Sequence, residues 1–588
     1  MGEYGGFVLL NAYGRSSCAL FVSFVFAAAV SLAVLACSPS AAYASVPSSY
    51  DPREVGLATG DRDQSPWGMC WDFAGMMALE SYLVANGLAD GDIDLSEEAV
   101  PWHVLTICRE QLGDGRPFGW TVGRGTRDDS GYAAMMTGYL MSWLGPNLER
   151  DVPYYRGSDE DPMGIYPLEE RPVGLDSAPR PFQVTDVVYF EDPARDEVKE
   201  AVLSYGGVAT GCNLSLDFYR EDTAALWYPA PECDPYVNHA VCIVGWDDAF
   251  PRTSFRDQDG NLPAIDGAWL VKNSERSGGV AAYVWVSYED GAVLTSDWFN
   301  PTYAVADARA SSKRSVYSLD ELGASTLRTT HDAATAASSA AGEASSSAGE
   351  TLTCANVYEF AESERIVEVM FMSMAKGAEY RLRYLPVDET GAPVLDESRS
   401  IELARGVVEH AGYTAVELEG GAILPPGRGA LAVELASDEV ELSLGVDASV
   451  ASTGLDYATS RVNGGHSFYL VDGMSVPASA DPNMPVKFVL RAYGEACSPG
   501  DGADGGSGDG GGSSDGGSAG DAEAGGAGDS PSGLPEAGDG AARAGSSGTL
   551  PATSDASARV AAAVLGVAFA AGVAALSLRA TRTRVRSE

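Results

Sequence analysis

Residues 64–83 read QSPWGMCWDFAGMMALESYL, and this stretch decides how the surrounding chain folds. A turn-forming segment around Pro66 leads into Cys70, after which apolar residues recur with helical spacing. The pattern predicts a helix that begins at Cys70. Unpaired backbone N–H groups and the helix dipole stabilise a thiolate there, and with a cationic partner they lower a cysteine pKa to about 3.5–7.5. We therefore predict that Cys70 is a nucleophile.

A nucleophilic cysteine needs a base, a group that orients the base and a donor for the developing oxyanion. The sequence offers a candidate for each role. His239 opens a short apolar strand that would hold an imidazole rigidly. Asn273 follows the strand-like run 268–272 and can orient that imidazole. Gln64, six positions before Cys70, can direct its side-chain amide at the same carbonyl oxygen as the Cys70 backbone N–H.

Four short motifs in a fixed order carry a family resemblance. They are Gln-x5-Cys-Trp from Gln64, Asn-His-Ala-Val from Asn238, Gly-Trp-Asp from Gly245 and Lys-Asn-Ser from Lys272. Their order and spacing resemble those of the papain-like cysteine peptidases, and the resemblance extends over residues 45–308. It implies an α+β peptidase domain with two lobes on opposite walls of a cleft: a helical lobe carrying Cys70 and a β-barrel-like lobe carrying His239.

The resemblance also implies a function, hydrolysis of peptide bonds in a peptide or protein substrate by a Cys70 thiolate paired with His239. Family members usually carry Trp two places after the Asn, where this chain has Glu275, so a shield over the Asn–His hydrogen bond is either Trp285 or absent. Two other functions stay open. One is a surface adhesin with a degenerate papain-like lobe, and the other is an enzyme that transfers acyl groups to amines with the same Cys and His. The complete set of four site residues favours the peptidase over the adhesin.

The rest of the chain divides by composition. Residues 309–350 are dominated by Ala, Ser and Thr, which predicts a linker. Alternating runs separated by Gly, Pro and Asp turns then predict an all-β sandwich over 351–497. This segment resembles the lectin-like domain that follows the peptidase in one bacterial branch of the papain relatives, which implies a glycan or protein ligand. Residues 498–549 are rich in Gly, Ser and Asp and are predicted to be a disordered tether.

Both ends of the chain predict an extracellular protein held at the cell surface. Residues 1–44 contain an apolar run and a small-residue cleavage site, as secretory signal peptides do, and a lipoprotein site at Cys37 is the alternative. Residues 550–588 combine Leu-Pro-Ala-Thr-Ser, an apolar segment over 560–578 and a basic tail. They resemble the signal that sortases cleave to attach proteins to the Gram-positive cell wall, except that Ser554 stands where that family has Gly. The alternative is a plain membrane anchor, with 560–578 as a transmembrane helix.

The balance of charges excludes one class of partner. The chain carries 83 acidic and 38 basic residues, a formal net charge of -45. Nucleic-acid binding depends on neutralising phosphates and needs the opposite sign, so we expect no nucleic acid. We also expect no cofactor and no metal. The spacing of Cys233, His239 and Cys242 in particular fits no common zinc site.

The cysteines of the exported part are odd in number, so one free thiol is expected, and Cys70 is the candidate. Cys354 and Cys497 bracket the predicted sandwich and could join its ends. Cys212 with Cys233 is a possible second pair, although connectivity cannot be deduced from sequence. The short run 45–63 before Gln64 also predicts that no inhibitory prosegment is present.

Overall fold

The computed structural model describes most of the predicted peptidase and lectin-like parts. The described residues are 46–105, 119–122, 130–156, 174–175, 177–229, 236–312, 314–341, 351–361, 364–452, 455–459, 465–479 and 485–497. The predicted signal peptide, tether and sorting signal, including 560–578, lie outside these residues. Within the described part of the chain, no helix is both long and apolar enough to cross a membrane.

The helices are concentrated in the first half of the peptidase part. The six described α-helices are α1 (Pro52–Val55), α2 (Cys70–Ala85), α3 (Ala99–Val104), α4 (Ala133–Met141), α5 (Arg195–Tyr205) and α6 (Thr330–Ala341). Helix α2 begins at Cys70, as the sequence predicts, and is buried from Cys70 to Val84. This helix therefore runs through the core of the peptidase and holds Cys70 on a rigid element.

Strands make up most of the remaining structure. Those before residue 311 are β1 (Ser49–Tyr50), β2 (Gly119–Val122), β3 (Phe182–Phe190), β4 (Val208–Cys212), β5 (Tyr219–Arg220), β6 (Ala225–Leu226), β7 (His239–Asp247), β8 (Ala268–Lys272), β9 (Tyr283–Ser287) and β10 (Thr302–Ala310). Those that follow are β11 (Ser315–Tyr317), β12 (Thr326–Thr329), β13 (Thr351–Phe360), β14 (Glu364–Ser373), β15 (Glu379–Pro386), β16 (Ile401–Val407), β17 (Ala411–Ile423), β18 (Gly427–Ala436), β19 (Ser443–Ala448), β20 (Val450–Ser452), β21 (Leu455–Ala458), β22 (Ser467–Val471), β23 (Met474–Pro477), β24 (Val486–Phe488) and β25 (Leu490–Ala496).

The sheet of the peptidase part continues into the lectin-like part. Its order is β11-β25-β14-β17-β3-β10-β4-β7-β8-β9-β6-β5, with β1 attached to β7. The junction is antiparallel pairing of Ala411–Tyr413 in β17 with Val187–Tyr189 in β3. The β-rich lobe of the peptidase therefore does not end at β3. Its β3 edge is extended by strands from beyond residue 350.

The prediction of a linker over 309–350 is wrong for the residues described there. β11 pairs with β25, β12 pairs with β19, and α6 follows β12 directly. A Cβ on Gly138 of α4 would lie 2.0 Å from the Leu322 carbonyl oxygen, so this segment packs tightly against the helical lobe. The segment has few large apolar residues, which favoured the prediction of a linker. Its small residues Ala324, Ala333 and Ala337 are nevertheless buried.

The lectin-like part is a sandwich, as predicted. A six-stranded sheet with the order β16-β15-β18-β13-β22-β23 packs against the β14, β17 and β25 end of the large sheet. Residues from both sheets form one core, including Leu352, Phe371, Val433 and Leu490. The suggested Cys354–Cys497 disulfide is absent, since both are free thiols. Cys354 lies in β13 and Cys497 follows β25, on different sheets.

The cysteine pair suggested within the peptidase part is only partly described. Cys212 is buried in β4 and is a free thiol. Cys233 lies outside the described residues, but the suggested pairing is not formed, because Cys212 is a free thiol.

The two parts share buried contacts as well as a sheet. The ring of Trp143, which follows α4, stacks on Tyr493 of β25 with centroids 4.0 Å apart. Arg491, also in β25, is buried and donates from Nε to both carboxylate oxygens of Asp320, at 3.1 and 3.0 Å. Its Nη1 donates to the carbonyl oxygen of Met141 at the end of α4. A strand of the sandwich is thus bound directly to the helical lobe.

This ion pair leads to a stability prediction. Arg491→Leu leaves the buried Asp320 carboxylate without its partner, which should lower the free energy of unfolding by about 3–5 kcal/mol. Thermal unfolding followed by circular dichroism measures the effect. The matched control is Arg381→Leu, because the Arg381–Glu402 pair is solvent-exposed and such pairs contribute little. Equal melting temperatures for the two variants would contradict a stabilising role for the buried pair.

Candidate active site

Cys70 is the first residue of α2, at the end where backbone N–H groups are unpaired. The preceding residue, Met69, caps the helix without a side-chain hydrogen bond, and its carbonyl accepts from the N–H groups of Asp72 and Phe73. Cys70 is only 7% exposed. The predicted nucleophile therefore sits at the positive end of a rigid, buried helix.

His239 and Asn273, 34 positions apart in the chain, are in direct contact. His239 is the first residue of β7, and Asn273 directly follows β8, the neighbouring antiparallel strand. His239 Nε2 and Asn273 Oδ1 are 2.8 Å apart, and both side chains are buried. The two candidate residues are therefore in contact, and this contact leaves Nδ1 of the imidazole for chemistry.

The Asn273 side chain is itself fixed by backbone groups. Its Nδ2 donates to the carbonyl oxygens of Glu275 (2.6 Å) and Ala281 (3.0 Å). Its Oδ1 also accepts from the Glu275 N–H at 3.0 Å. The amide cannot flip without losing these bonds, so its oxygen is held toward the imidazole and keeps a proton on Nε2.

Gln64 is held beside this pair by Ser274, the residue after Asn273. Ser274 Oγ donates to Gln64 Oε1 at 2.8 Å, and the Gln64 N–H donates to the Ser274 carbonyl at 2.9 Å. Gln64 Nε2 donates to the Trp67 carbonyl at 3.1 Å. Among the described contacts this uses one of its two amide protons, so the other is available to a ligand oxygen.

A cavity of about 200 Å³ brings the nucleophile and the base together. Cys70 and His239 both line it, as do Asn238 and Ala240, the chain neighbours of His239. Gln64 and Asn273 are not among its lining residues. Asn273 contacts His239 from the neighbouring strand end, and Gln64 is bound to Ser274, the residue after Asn273.

Burial changes the pKa values of the reacting pair in opposite directions. Desolvation raises the pKa of the Cys70 thiol, while hydrogen bonds from the backbone N–H groups of Ala240, Trp71 and Cys70 itself act against that rise. Desolvation lowers the pKa of His239, opposed by its bond to Asn273 and by the Glu275 charge. The sequence led us to expect a lowered pKa for Cys70. This expectation is wrong for a Cys70 thiol that has not passed its proton to His239, because burial of the sulfur raises its pKa. The thiolate is favoured only when His239 takes the proton, since the two opposite charges then form together in one cavity.

Glu275 provides a pH-dependence prediction. Its negative charge raises the pKa of both Cys70 and His239. In Glu275→Gln the thiolate forms more readily and the imidazolium loses its proton more readily. Both limbs of the bell-shaped profile of kcat/KM against pH should therefore move to lower pH, by up to about one unit. The amide oxygen can keep the bond that the carboxylate accepts from the Ser277 N–H.

The matched control for this prediction is Glu191→Gln, an exposed glutamate after β3. It should leave both limbs of the pH profile where they are in the wild type. A shift of either limb to higher pH in Glu275→Gln, or an equal shift in both variants, would contradict the electrostatic role of Glu275.

Trp285, considered as a shield for the Asn–His bond, stacks its ring on Phe250, with centroids 4.7 Å apart. It packs against both the main core and a smaller apolar cluster that includes Trp227 and Phe255. At the position after Ser274, the Glu275 backbone bonds to both ends of the Asn273 amide instead. Backbone groups of Glu275 therefore hold the Asn273 amide, at the position where family members usually carry a tryptophan.

Three contributors to the site, Ser274, Val122 and Tyr132, were not predicted from the sequence. The Ser274 hydroxyl, 210 positions from Gln64, fixes the proposed oxyanion donor, although Ser274 was visible in the Lys-Asn-Ser motif. Val122 and Tyr132 line the cavity but belong to no motif. Tyr132 begins a mostly apolar run after Gly131, and no comparable signal marks Val122.

Comparison with known proteins agrees with this geometry. Residues 46–295 match the papain family of cysteine proteases, and residues 334–494 match a lectin-like domain. The chain therefore carries a papain-family cysteine peptidase domain followed by a lectin-like domain. It is similar to the clostridial cysteine protease Cwp84 after propeptide cleavage, with 28% identity and a TM-score of 0.62, over 76% of this chain and 99% of that one.

A second structure of Cwp84 and one curated relative agree with this assignment. A structure of the cysteine protease and lectin-like domains of Cwp84, a surface layer associated protein of Clostridium difficile, is 28% identical with a TM-score of 0.62, over 77% of this chain and 89% of that one. Cathepsin L of Sarcophaga peregrina is 28% identical over 236 residues, which are 40% of this chain and 56% of the cathepsin. The chain thus spans about half the length of the curated relatives it matches.

Proposed function

We propose that this protein is an exported cysteine peptidase that hydrolyses peptide bonds at the cell surface. The observation that carries the proposal is the arrangement of Cys70, at the start of a buried helix, and His239 around one cavity. The 2.8 Å contact of His239 with Asn273 supports the same reading, because it leaves the other ring nitrogen free for proton transfer.

The proposed reaction has two half-steps. Cys70 Sγ, its proton held by His239, attacks the scissile carbonyl carbon, and the oxyanion is bound by the Cys70 backbone N–H and the free amide proton of Gln64. His239 gives its proton to the leaving amine, and a thioester forms. Water then attacks the thioester and loses a proton to His239, which returns it to the departing Cys70 sulfur. Asn273 holds the ring in place throughout.

Isotope labelling tests the reaction class. The purified protein is incubated with a library of unstructured peptides in water enriched in oxygen-18, and the products are sequenced by mass spectrometry. Hydrolysis places oxygen-18 in each new carboxyl terminus. Products joined to an added amine would instead identify the acyl-transfer alternative, and no cleavage at all would favour the adhesin. The cleaved bonds themselves show whether the substrates are ordinary protein segments or cell-wall cross-link peptides.

We further propose that the lectin-like part binds a surface glycan or protein, and that the protein is held at the cell wall or membrane. The likeness to a surface layer associated protein supports this location, together with the signal peptide and sorting signal expected at the chain ends. In the sorting pathway a sortase cleaves after Thr553 and joins the new end to wall peptide. Ser554 then leaves with the tail.

Fractionation of cells distinguishes the two modes of anchoring. If sortase acts, muralytic digestion should release the protein, detergent alone should not, and the released chain should end at Thr553. The measurement is mass spectrometry of the C-terminal peptide. Recovery of the arginine-rich end of residues 550–588 in the detergent fraction would overturn sortase processing and leave membrane anchoring.

A further inference from the structure

One wall of the active-site cavity is held by the lectin-like part. The wall includes Val122, the last residue of β2. β2 pairs with β21 over its full length, from Gly119 opposite Ala458 to Val122 opposite Leu455. Within the described residues, β2 has one β-bridge to the rest of the peptidase part, between Trp120 and Leu105. β2 therefore belongs to the three-stranded sheet β2-β21-β20, whose other two strands come from the lectin-like part.

Aromatic rings connect this strand pair to the cavity. Trp120 of β2 and Tyr457 of β21 are almost fully buried, with ring centroids 4.6 Å apart. The edge of Trp120 meets Phe299 at 6.4 Å, and Phe299 meets Tyr132 at 6.1 Å. Tyr132 lines the cavity, as do Asn300 and Pro301, which directly follow Phe299. Tyr457 is thus connected to the cavity wall through the rings of Trp120 and Phe299.

The position of Tyr457 is fixed by the sandwich. Its hydroxyl donates to Asp447 Oδ1 at 3.0 Å. Asp447 is buried in β19, and its Oδ2 lies 3.7 Å from the buried Lys487 Nζ of β24. The same oxygen accepts the N–H of Glu321 at 3.2 Å. Moving Tyr457 would therefore disturb buried charges in the sandwich, so the tyrosine is a rigid support.

We infer that the lectin-like part completes the substrate cleft of the peptidase, with Tyr457 as a positioning residue for peptide binding. The inference rests on the proposed function and adds a role for the second domain that is separate from any ligand of its own. Tyr457 is not among the residues that line the cavity with Cys70 and His239, so its loss should leave the reactivity of the thiol intact. What it should change is how a substrate side chain is held in the cavity, since a displacement of about 1 Å in a substrate-positioning wall can cost 10²-fold in rate.

Tyr457→Leu in the full chain tests this. We expect kcat/KM for peptide hydrolysis to fall about 10–100-fold, mainly through KM. The rate at which iodoacetamide alkylates Cys70, followed by mass spectrometry, should stay within about twofold of wild type, because this small reagent does not need the wall. Tyr457→Phe keeps the ring and loses only the bond to Asp447, so KM should rise about 2–10-fold. If Tyr457→Leu does not fold, the KM of Tyr457→Phe tests the inference instead.

The matched control is Tyr469→Leu. Tyr469 is a tyrosine of the same domain with the same 2% exposure, and its ring packs on Phe488 at 5.3 Å. It should lower the melting temperature without raising KM. An unchanged KM in folded Tyr457 variants, an equal rise in Tyr469→Leu, or parallel losses of alkylation and hydrolysis would overturn the inference. A wild-type protein that cleaves no peptide contradicts the proposed function instead, and the inference falls with it.

Discussion

Cys70→Ala should reduce kcat/KM for peptide hydrolysis by about 10⁵-fold or more, because removal of a covalent nucleophile abolishes the thioester route. The fold should survive, since the change removes one sulfur atom and no side-chain capping bond is lost at this helix terminus. A thiol-reactive peptidyl probe gives an independent readout, with labelling of the wild type and none of the variant.

The matched control is Cys354→Ala, another buried free thiol, which lies in the sandwich core away from the cavity. It should keep both hydrolysis and probe labelling. Failure of the wild type to label under reducing conditions, or activity in Cys70→Ala within tenfold of wild type, would remove Cys70 from catalysis and strengthen the adhesin alternative.

Gln64→Ala should lower kcat by about 10²–10³-fold with little change in KM, because an oxyanion donor acts on charge that exists only in the transition state. Steady-state kinetics on one peptide substrate measures both constants. An effect confined to KM would assign Gln64 to substrate binding.

Ser274→Ala separates the amide itself from its support. This variant removes the hydroxyl that Gln64 Oε1 accepts but keeps the amide and its bond to the Trp67 carbonyl. It should cost clearly less in kcat than Gln64→Ala. An equal loss in both variants would mean that Gln64 acts by holding the 273–275 turn, which orients His239.

The local parts of the site could be predicted from sequence. The start of α2 at Cys70, the start of β7 at His239 and the end of β8 before Asn273 each follow from a short pattern of apolar residues and turn residues. The contact of His239 with Asn273 followed from the resemblance to a family and could not be deduced from spacing alone.

The parts that could not be predicted depend on pairing between distant segments. β2 with β21 and β17 with β3 are such pairings, and no short pattern specifies which strands will meet. The pKa direction of Cys70 was missed for a similar reason, since its burial comes from both lobes. In 309–341, alanine and serine suit close packing as well as flexible chain, so composition alone gave the wrong answer.

The shared sheet also has a consequence for how such a protein can evolve. Domains are usually exchanged between proteins as intact units, because few contacts cross their boundaries. Here a gene fragment ending near residue 308 would encode a peptidase whose β3 lacks its neighbour β17 and whose β2 lacks β21. Unpaired edges of this kind invite association between chains. Selection should therefore keep the two segments together, and changes at the β3–β17 seam in one should be followed by compensating changes in the other.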